Sequence, residues 1–304
     1  MPQLGFEGMP RRLYPCTPSR LRAWLDCPRR YRMVYLDRPS PPKGPPWAHN
    51  SFGATVHNAL AGWWRLPLAE RVPNAAADLV ERGWIAEGYA DGEQSARYLS
   101  RARAMVARYV AGLDPAAEPV GVERVVATKT ELIAVSGRID RLDDRPAPPG
   151  MAPRQSVQPG IPGRDRDLVV VDYKTGRTAP TTEDVRSSLA LALYAMAAGR
   201  VLRRPCSKVE LHHLPSAQVV GWEHTEQSLD RQLRRAEDIA AECAAADGKF
   251  EPQESSERGD AVFPPTPGVW CAWCDYRAHC PEGQLAAPAK RPWDGLADNE
   301  PGPS

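Results

Sequence analysis

Val169-Val-Val-Asp-Tyr-Lys-Thr-Gly176 is the stretch on which the reading of this 304-residue chain turns. With Leu168 it makes a short apolar, β-branched run ending in polar residues, the pattern of a strand buried along its length. Side chains alternate faces along a strand, so Asp172 and Lys174 project to one side and Tyr173 to the other. An acid and a lysine together at a strand end can serve a phosphodiester site. The carboxylate binds a divalent cation, and the ammonium holds the attacking water and offsets developing negative charge. A bare D-x-K is by itself more often a solvated ion pair, so its surroundings decide.

Upstream, Gly137-Arg-Ile-Asp-Arg141 lies in a second β-rich run, Val135–Leu142, which follows another over Glu123–Ala134. Asp140 offers a second carboxylate, although alone it also reads as a turn residue. Two strand-end acids and a lysine suit a hard cation such as Mg²⁺ or Mn²⁺. Further upstream, Phe52-Gly-Ala-Thr-Val-His57-Asn-Ala-Leu60 has helical spacing. Gly53, His57, Ala61 and Trp64 share one face, while Phe52, Val56, Ala59, Leu60 and Trp63 make an apolar one. A lone helical histidine is usually a packed or surface residue. Beside two acids and a lysine it becomes a candidate ligand, since imidazole serves manganese.

The surrounding order predicts a mixed α/β fold, a β-sheet core flanked by helices. Thr17-Pro18 starts a helix running to about Asp26, and further helices are predicted over 51–65, 75–88 and 95–113. After the strand-like runs come a helix over 183–201, a strand pair at 209–214 and 218–224, and a helix over 226–246. Proline, at 32 residues, clusters at 39–46 and 144–166. The second cluster reads as a flexible hairpin loop, because proline cannot continue a helix or an inner strand. The expected layout is a flexible N-terminus over 1–16, one domain over 17–285 with a helical insertion at 66–115, and a disordered tail over 286–304.

Seven cysteines, an odd number without an export signal, argue against a disulfide framework. Cys271-Ala-Trp-Cys274-Asp-Tyr-Arg-Ala-His-Cys280 points to metal, but three thiolates are one short of a closed tetrahedral set. Cys27, in Trp24-Leu-Asp-Cys-Pro-Arg-Arg-Tyr31, is the candidate fourth. Spacing leaves a four-cysteine Zn²⁺ site, a Zn²⁺ site using His279, and an iron–sulfur cluster all open. Cys16, Cys206 and Cys243 read as ordinary thiols. Hydrophobic residues at 42% and charged residues at 25% exclude wholesale disorder. No apolar run approaches a membrane span, and the N-terminus lacks the layout of a secretory signal, so a cytoplasmic protein without a membrane partner is expected. The net charge of +1 does not advertise a nucleic-acid partner. Eight arginines between Arg11 and Arg38 face only Asp26 and Asp37, which reads either as a general arginine bias or as a phosphate-contacting surface.

Taken together and in this order, the motifs from Thr17 to about Glu282 resemble the RecB/AddB-type exonucleases of the PD-(D/E)XK nuclease superfamily, in the branch with an iron–sulfur staple. The resemblance implies a restriction-endonuclease-like core and a metal-dependent exonuclease acting on single-stranded DNA ends in repair or recombination. It implies that His57, Asp140 and Asp172 hold Mg²⁺ or Mn²⁺, with the Tyr173 carbonyl as a backbone ligand, and that Lys174 acts on the nucleophilic water. It also implies a structural [4Fe–4S] cluster on Cys27, Cys271, Cys274 and Cys280. Family members carry Gln-x-x-x-Tyr on the helix after the lysine strand. Here Tyr194 matches, but Ala190 stands in the glutamine slot, with Arg186 or Ser187 one turn earlier. Arg141, Arg186 and Tyr194 are therefore candidate DNA contacts. The missing glutamine motivates an alternative, a catalytically idle DNA-end-binding subunit of a helicase–nuclease complex. A CRISPR adaptation nuclease and a zinc-stapled protein with a chance D-x-K are further alternatives. The chain has no G-x-x-x-x-G-K-[ST] loop, so unwinding would need a helicase partner.

Overall fold

The apolar run around Val169 becomes an inner strand because both of its faces are covered. In the computed structural model, which describes residues 13–146, 166–250 and 261–296, this strand is β4, Arg166–Lys174. Val169 and Val171 pack on one side against Val56, Leu60 and Trp63 of helix α3 (Ala48–Trp64) and Ala102 and Val106 of α5 (Gly92–Ala111). Leu168 and Val170 pack on the other side against Leu191, Ala195 and Ala198 of α7 (Leu189–Leu202). A strand covered on both faces reads as continuously apolar rather than alternating, as this one does.

The six-stranded sheet is mixed, in the order β1-β3-β4-β5-β6 with β2 also paired to β3. Strands β2 (Gly121–Lys129) and β3 (Ile133–Pro146) form an antiparallel hairpin, and β4 runs antiparallel to the far end of β3. Strand β5 (Cys206–His213) lies parallel to β4, as a helical crossover requires, and β6 (Gln218–Glu223) closes antiparallel on it. The last long helix, α8 (Glu226–Asp247), packs with α1 (Pro18–Asp26) over Ile133 and Val135. This mixed sheet flanked by helices has the restriction-endonuclease-like architecture.

Several boundaries differ from expectation, each for a local reason. Tyr14–Cys16, expected in a flexible N-terminus, is strand β1, parallel to β3 from Ile133 to Val135. Helix α2 (Pro28–Tyr35), which the periodicity did not mark, starts where Pro28 follows Cys27. The helix expected over 75–88 is α4 (Pro73–Arg82), stopping at Gly83. The helix expected over 183–201 is two helices, α6 (Thr182–Ser187) and α7, because Ser188 turns extended and its hydroxyl caps the second at Leu191. The ends of the proline-rich loop expected over 144–166 are strand, and its remainder lies outside the described residues. The tail expected to be disordered from 286 is instead packed as far as Leu296. That residue is buried with Ala48 and Tyr98, and the Ala48 amide donates to the Pro292 carbonyl. Residues 297–304 and 1–12 also lie outside the description.

Candidate active site

Hairpin register assembles the acidic side chains. Val122 pairs with Arg141 and Arg124 with Ile139, which sets Glu123 opposite Asp140. Arg141 pairs with Val171, so one further step sets Asp140 beside Asp172. Glu123, Asp140 and Asp172 thus form a row across β2, β3 and β4, where facing residues are near neighbours. Glu123 has φ 49°, a left-handed conformation costing about 1–2 kcal/mol for a residue with a Cβ. Its carboxylate meets Arg138 Nε at 2.9 Å.

Helix α3 brings His57 to this row. Gly53, one turn earlier, lets the helix approach the end of β4, since a Cβ there would lie 3.2 Å from Thr175 Oγ1. His57 Nδ1 stands 3.3 Å from Asp140 Oδ2, and the same oxygen accepts the Tyr173 amide at 2.9 Å. Ligand atoms of His57, Glu123 and Asp140 all lie within 4.8 Å of one another. On β4, Lys174 Nζ stands 2.5 Å from Asp172 Oδ2. Tyr173 points the other way, its ring edge-on to His57 and its hydroxyl accepting from Arg141.

Burial pushes the Asp172 carboxyl upward, Lys174 opposes that shift, and the Asp140 charge reinforces it, leaving the group above its ordinary value. Burial would lower His57, but the Asp140 hydrogen bond and the charges of Asp140, Asp172 and Glu123 outweigh it, so His57 is raised. Asp172 Oδ2 is buried, with Lys174 Nζ as its charged neighbour. An oxygen-rich donor set with one imidazole, the ligand atoms of His57, Glu123 and Asp140 clustered together, fits a hard divalent cation such as Mg²⁺ or Mn²⁺.

Of the three candidate DNA contacts, the structure places only Tyr194 at the site. A Cβ on Gly137 would lie 2.3 Å from Tyr194 Cε1, so the glycine makes room for that ring. The Tyr194 hydroxyl is raised by burial and by the charges of Asp172 and Asp140. Arg141 cannot contact DNA: it is 2% exposed, behind the sheet, and donates to Tyr109, Tyr173 and Asp143. Alternation along β3 sends it opposite to Asp140. Arg186 is paired with Glu183 at 2.7 Å and lies over the Trp222 ring. Ala190 sits in the first turn of α7, just after the Ser188 cap.

Several of the N-terminal arginines are tied to carboxylates. Arg20 pairs with Asp247, Arg22 and Arg30 with Asp26, Arg29 with Glu282 and Arg32 with Asp37. Arg20, Arg29 and Arg32 are largely buried by these pairings, whereas Arg22 and Arg38 stay on the surface. Glu123 was missed by motif reading because its place depends on strand register. The only trace in the sequence is an acid in the strand preceding Asp140.

Cys27, Cys271, Cys274 and Cys280 line one pocket of about 540 Å³. Cys27 ends α1 and begins α2, and its sulfur accepts the Thr266 amide. Cys280 caps the short helix Pro281–Ala286 through the Gly283 amide. Burial raises the Cys274 thiol, the Tyr276 amide and Arg30 oppose that, and Cys27 and Cys271 add to it. His279 does not line the pocket; its Nε2 lies 2.9 Å from the Pro42 carbonyl, so it does not stand in for a cysteine. Among the described residues, no three of these sulfurs lie within 4.8 Å of one another, and all seven cysteines are free thiols. No described helix is long and apolar enough to cross a membrane.

The family described as the PD-(D/E)XK nuclease superfamily matches residues 15–150 and 161–281, a span that takes in every site residue above. No curated protein matches the chain.

Proposed function

The chain belongs to the PD-(D/E)XK nuclease superfamily, and from that premise we propose that it is a metal-dependent exonuclease of single-stranded DNA ends, working in repair or recombination beside a helicase. The observation that carries this reading is the row of Glu123, Asp140 and Asp172 on adjacent strands, with His57 3.3 Å from Asp140 and Lys174 2.5 Å from Asp172. His57, Asp140 and Asp172 hold Mg²⁺ or Mn²⁺, with the Tyr173 carbonyl and, as an addition the register suggests, Glu123. When bound, such a cation polarises a phosphoryl oxygen and makes bound water a stronger nucleophile. The Tyr173 amide and His57 fix the orientation of Asp140 before substrate arrives. Lys174 holds the attacking water and offsets the negative charge that develops at phosphorus. Tyr194, seated against Gly137, walls one side of the carboxylates and limits water there.

Cys27, Cys271, Cys274 and Cys280 carry a [4Fe–4S] cluster in this reading. The grouping of the four cysteines around one pocket supports ligation by four thiolates. Anaerobic purification is expected to yield a brown protein with iron and sulfide in equal amounts. A colourless protein containing zinc would overturn the cluster assignment.

The deciding experiment is digestion of single-stranded DNA labelled at one end, with Mg²⁺ or Mn²⁺, by wild type and Lys174→Ala. Wild type is expected to shorten the strand and the variant to do so about 10²–10⁴-fold more slowly. Equal activity overturns the assignment of Lys174. Binding by both proteins with cleavage by neither would favour the idle end-binding subunit that Ala190 motivates.

A further inference from the structure

A second cleft opens directly beside the candidate active site. It has a volume of about 800 Å³ and reaches Gly53, one turn before His57, and Thr175 and Gly176, immediately after Lys174. Its charged side chains are Arg101, Arg108 and Arg177, His49 also lines it, and no aspartate or glutamate does. We propose that this cleft holds the sugar–phosphate backbone of the strand being cut, with Arg101, Arg108 and Arg177 on successive phosphates. The proposal rests on the nuclease reading of the adjoining site.

Arg101 and Arg108 are seven residues apart on α5, so they share a helix face ~10 Å apart along the axis. Arg97 and Arg103 on the same helix are committed elsewhere, to Glu93 and to Asp78 and Glu81. Arg101, Arg108 and Arg177 are exposed and, among the described residues, pair with no carboxylate. Neutral partners hold two of them in place. Arg101 donates to the Tyr98 hydroxyl at 3.2 Å and lies 5.0 Å over that ring, and Arg108 donates to the Pro215 carbonyl at 3.1 Å. Neutral anchoring orients a guanidinium without cancelling its charge, which suits recognition of an anion. A basic groove that tracks the backbone is the usual electrostatic solution for a single strand.

The test is binding of a fluorescent single-stranded oligonucleotide, without divalent cation, across a salt series. Each phosphate contact contributes about 0.7 to the slope of log K against log salt. Arg101→Ala/Arg108→Ala is expected to lower that slope by about 1.4 and to weaken binding about tenfold or more at low salt. Arg177→Ala is expected to lower it by about half as much, and Arg101→Lys/Arg108→Lys to restore most of it. Arg103→Ala/Arg234→Ala removes the same formal charge from the opposite face of α5 and from α8 and should leave the slope unchanged. An unaltered slope in the first double variant, or an equal fall in the control pair, overturns the proposal. Wild type that binds with full slope yet never cleaves with Mg²⁺ or Mn²⁺ would overturn the nuclease reading while leaving the cleft in place.

Discussion

Gly137 shows how one missing methyl group shapes the candidate site. Its Cα faces the Tyr194 ring so closely that a Cβ would fall 2.3 Å from Cε1. Neither group can yield easily, because Gly137 is paired with Val126 in the hairpin and Tyr194 is half-buried on α7. Gly137→Ala is therefore expected to destabilise the protein by about 1–3 kcal/mol, the usual cost of overpacking. Urea unfolding measures this, and Tyr194→Ala in the same chain should relieve most of the added cost. If the two substitutions simply add, the ring is not what the glycine accommodates. Gly53 plays a similar part against Thr175 with a looser fit, so the spacing from that glycine to His57 sets how near the imidazole comes to β4.

At the scale of elements, the polar network behind the sheet holds β3, β4 and β5 in mutual register. Arg145 on β3 pairs with Glu210 on β5 at 2.7 Å, and Glu210 also meets His212 at 2.8 Å, which in turn bonds Tyr109 of α5. Burial raises the Glu210 carboxyl, but the hydrogen bonds of His212 and Arg145 and their charges win, holding it down at about 2 from a usual 4.5. A carboxyl depressed in the folded state stabilises fully above its unfolded value and loses that contribution as pH falls through its folded value. The contribution should be complete above about pH 4.5 and fade toward pH 2. Its size is on the order of 3 kcal/mol. Thermal unfolding from pH 6 down to pH 2 should show wild type losing more stability than Glu210→Gln, the two curves converging at the acid end. Parallel curves would mean that Glu210 keeps the same ionisation in folded and unfolded chains.

Across the whole molecule, the N-terminal elements are fastened to the C-terminal part of the described chain. Arg20 joins Asp247, and Tyr14 and Tyr31 bond the same carboxylate, fastening β1, α1 and α2 to the end of α8. Arg29, almost buried, joins Glu282 beside the four-cysteine pocket. Metal ligation by Cys27 together with Cys271, Cys274 and Cys280 would close nearly the full length of the chain into one loop. Long-loop closure of this kind contributes roughly 3–5 kcal/mol through the unfolded state. Cys27→Ser is expected to lose the bound metal and to lower stability by about that amount, read by calorimetry with metal analysis of the same sample. Retention of metal with unchanged stability would remove Cys27 from the ligand set.

The sequence by itself determined what is local. The apolar run of β4, the projection of Asp172 and Lys174 to one side, the start of α1 at Thr17-Pro18 and the helical position of His57 all follow from period and capping, which a short window contains. Tertiary structure decided what depends on partners far along the chain. Glu123 joins the carboxylates only through hairpin register and a left-handed backbone, and Arg141 turns from a candidate DNA contact into a buried strut once Tyr109 and Trp64 cover it. Arg20 and Arg29 near the N-terminus read as charge until Asp247 and Glu282 reached them, while Arg101 and Arg108 on α5 carried no motif at all. Periodicity records which face a side chain takes, whereas register and helix docking record what that face meets. Only the second sets whether a charge is neutralised, buried or left open to a ligand.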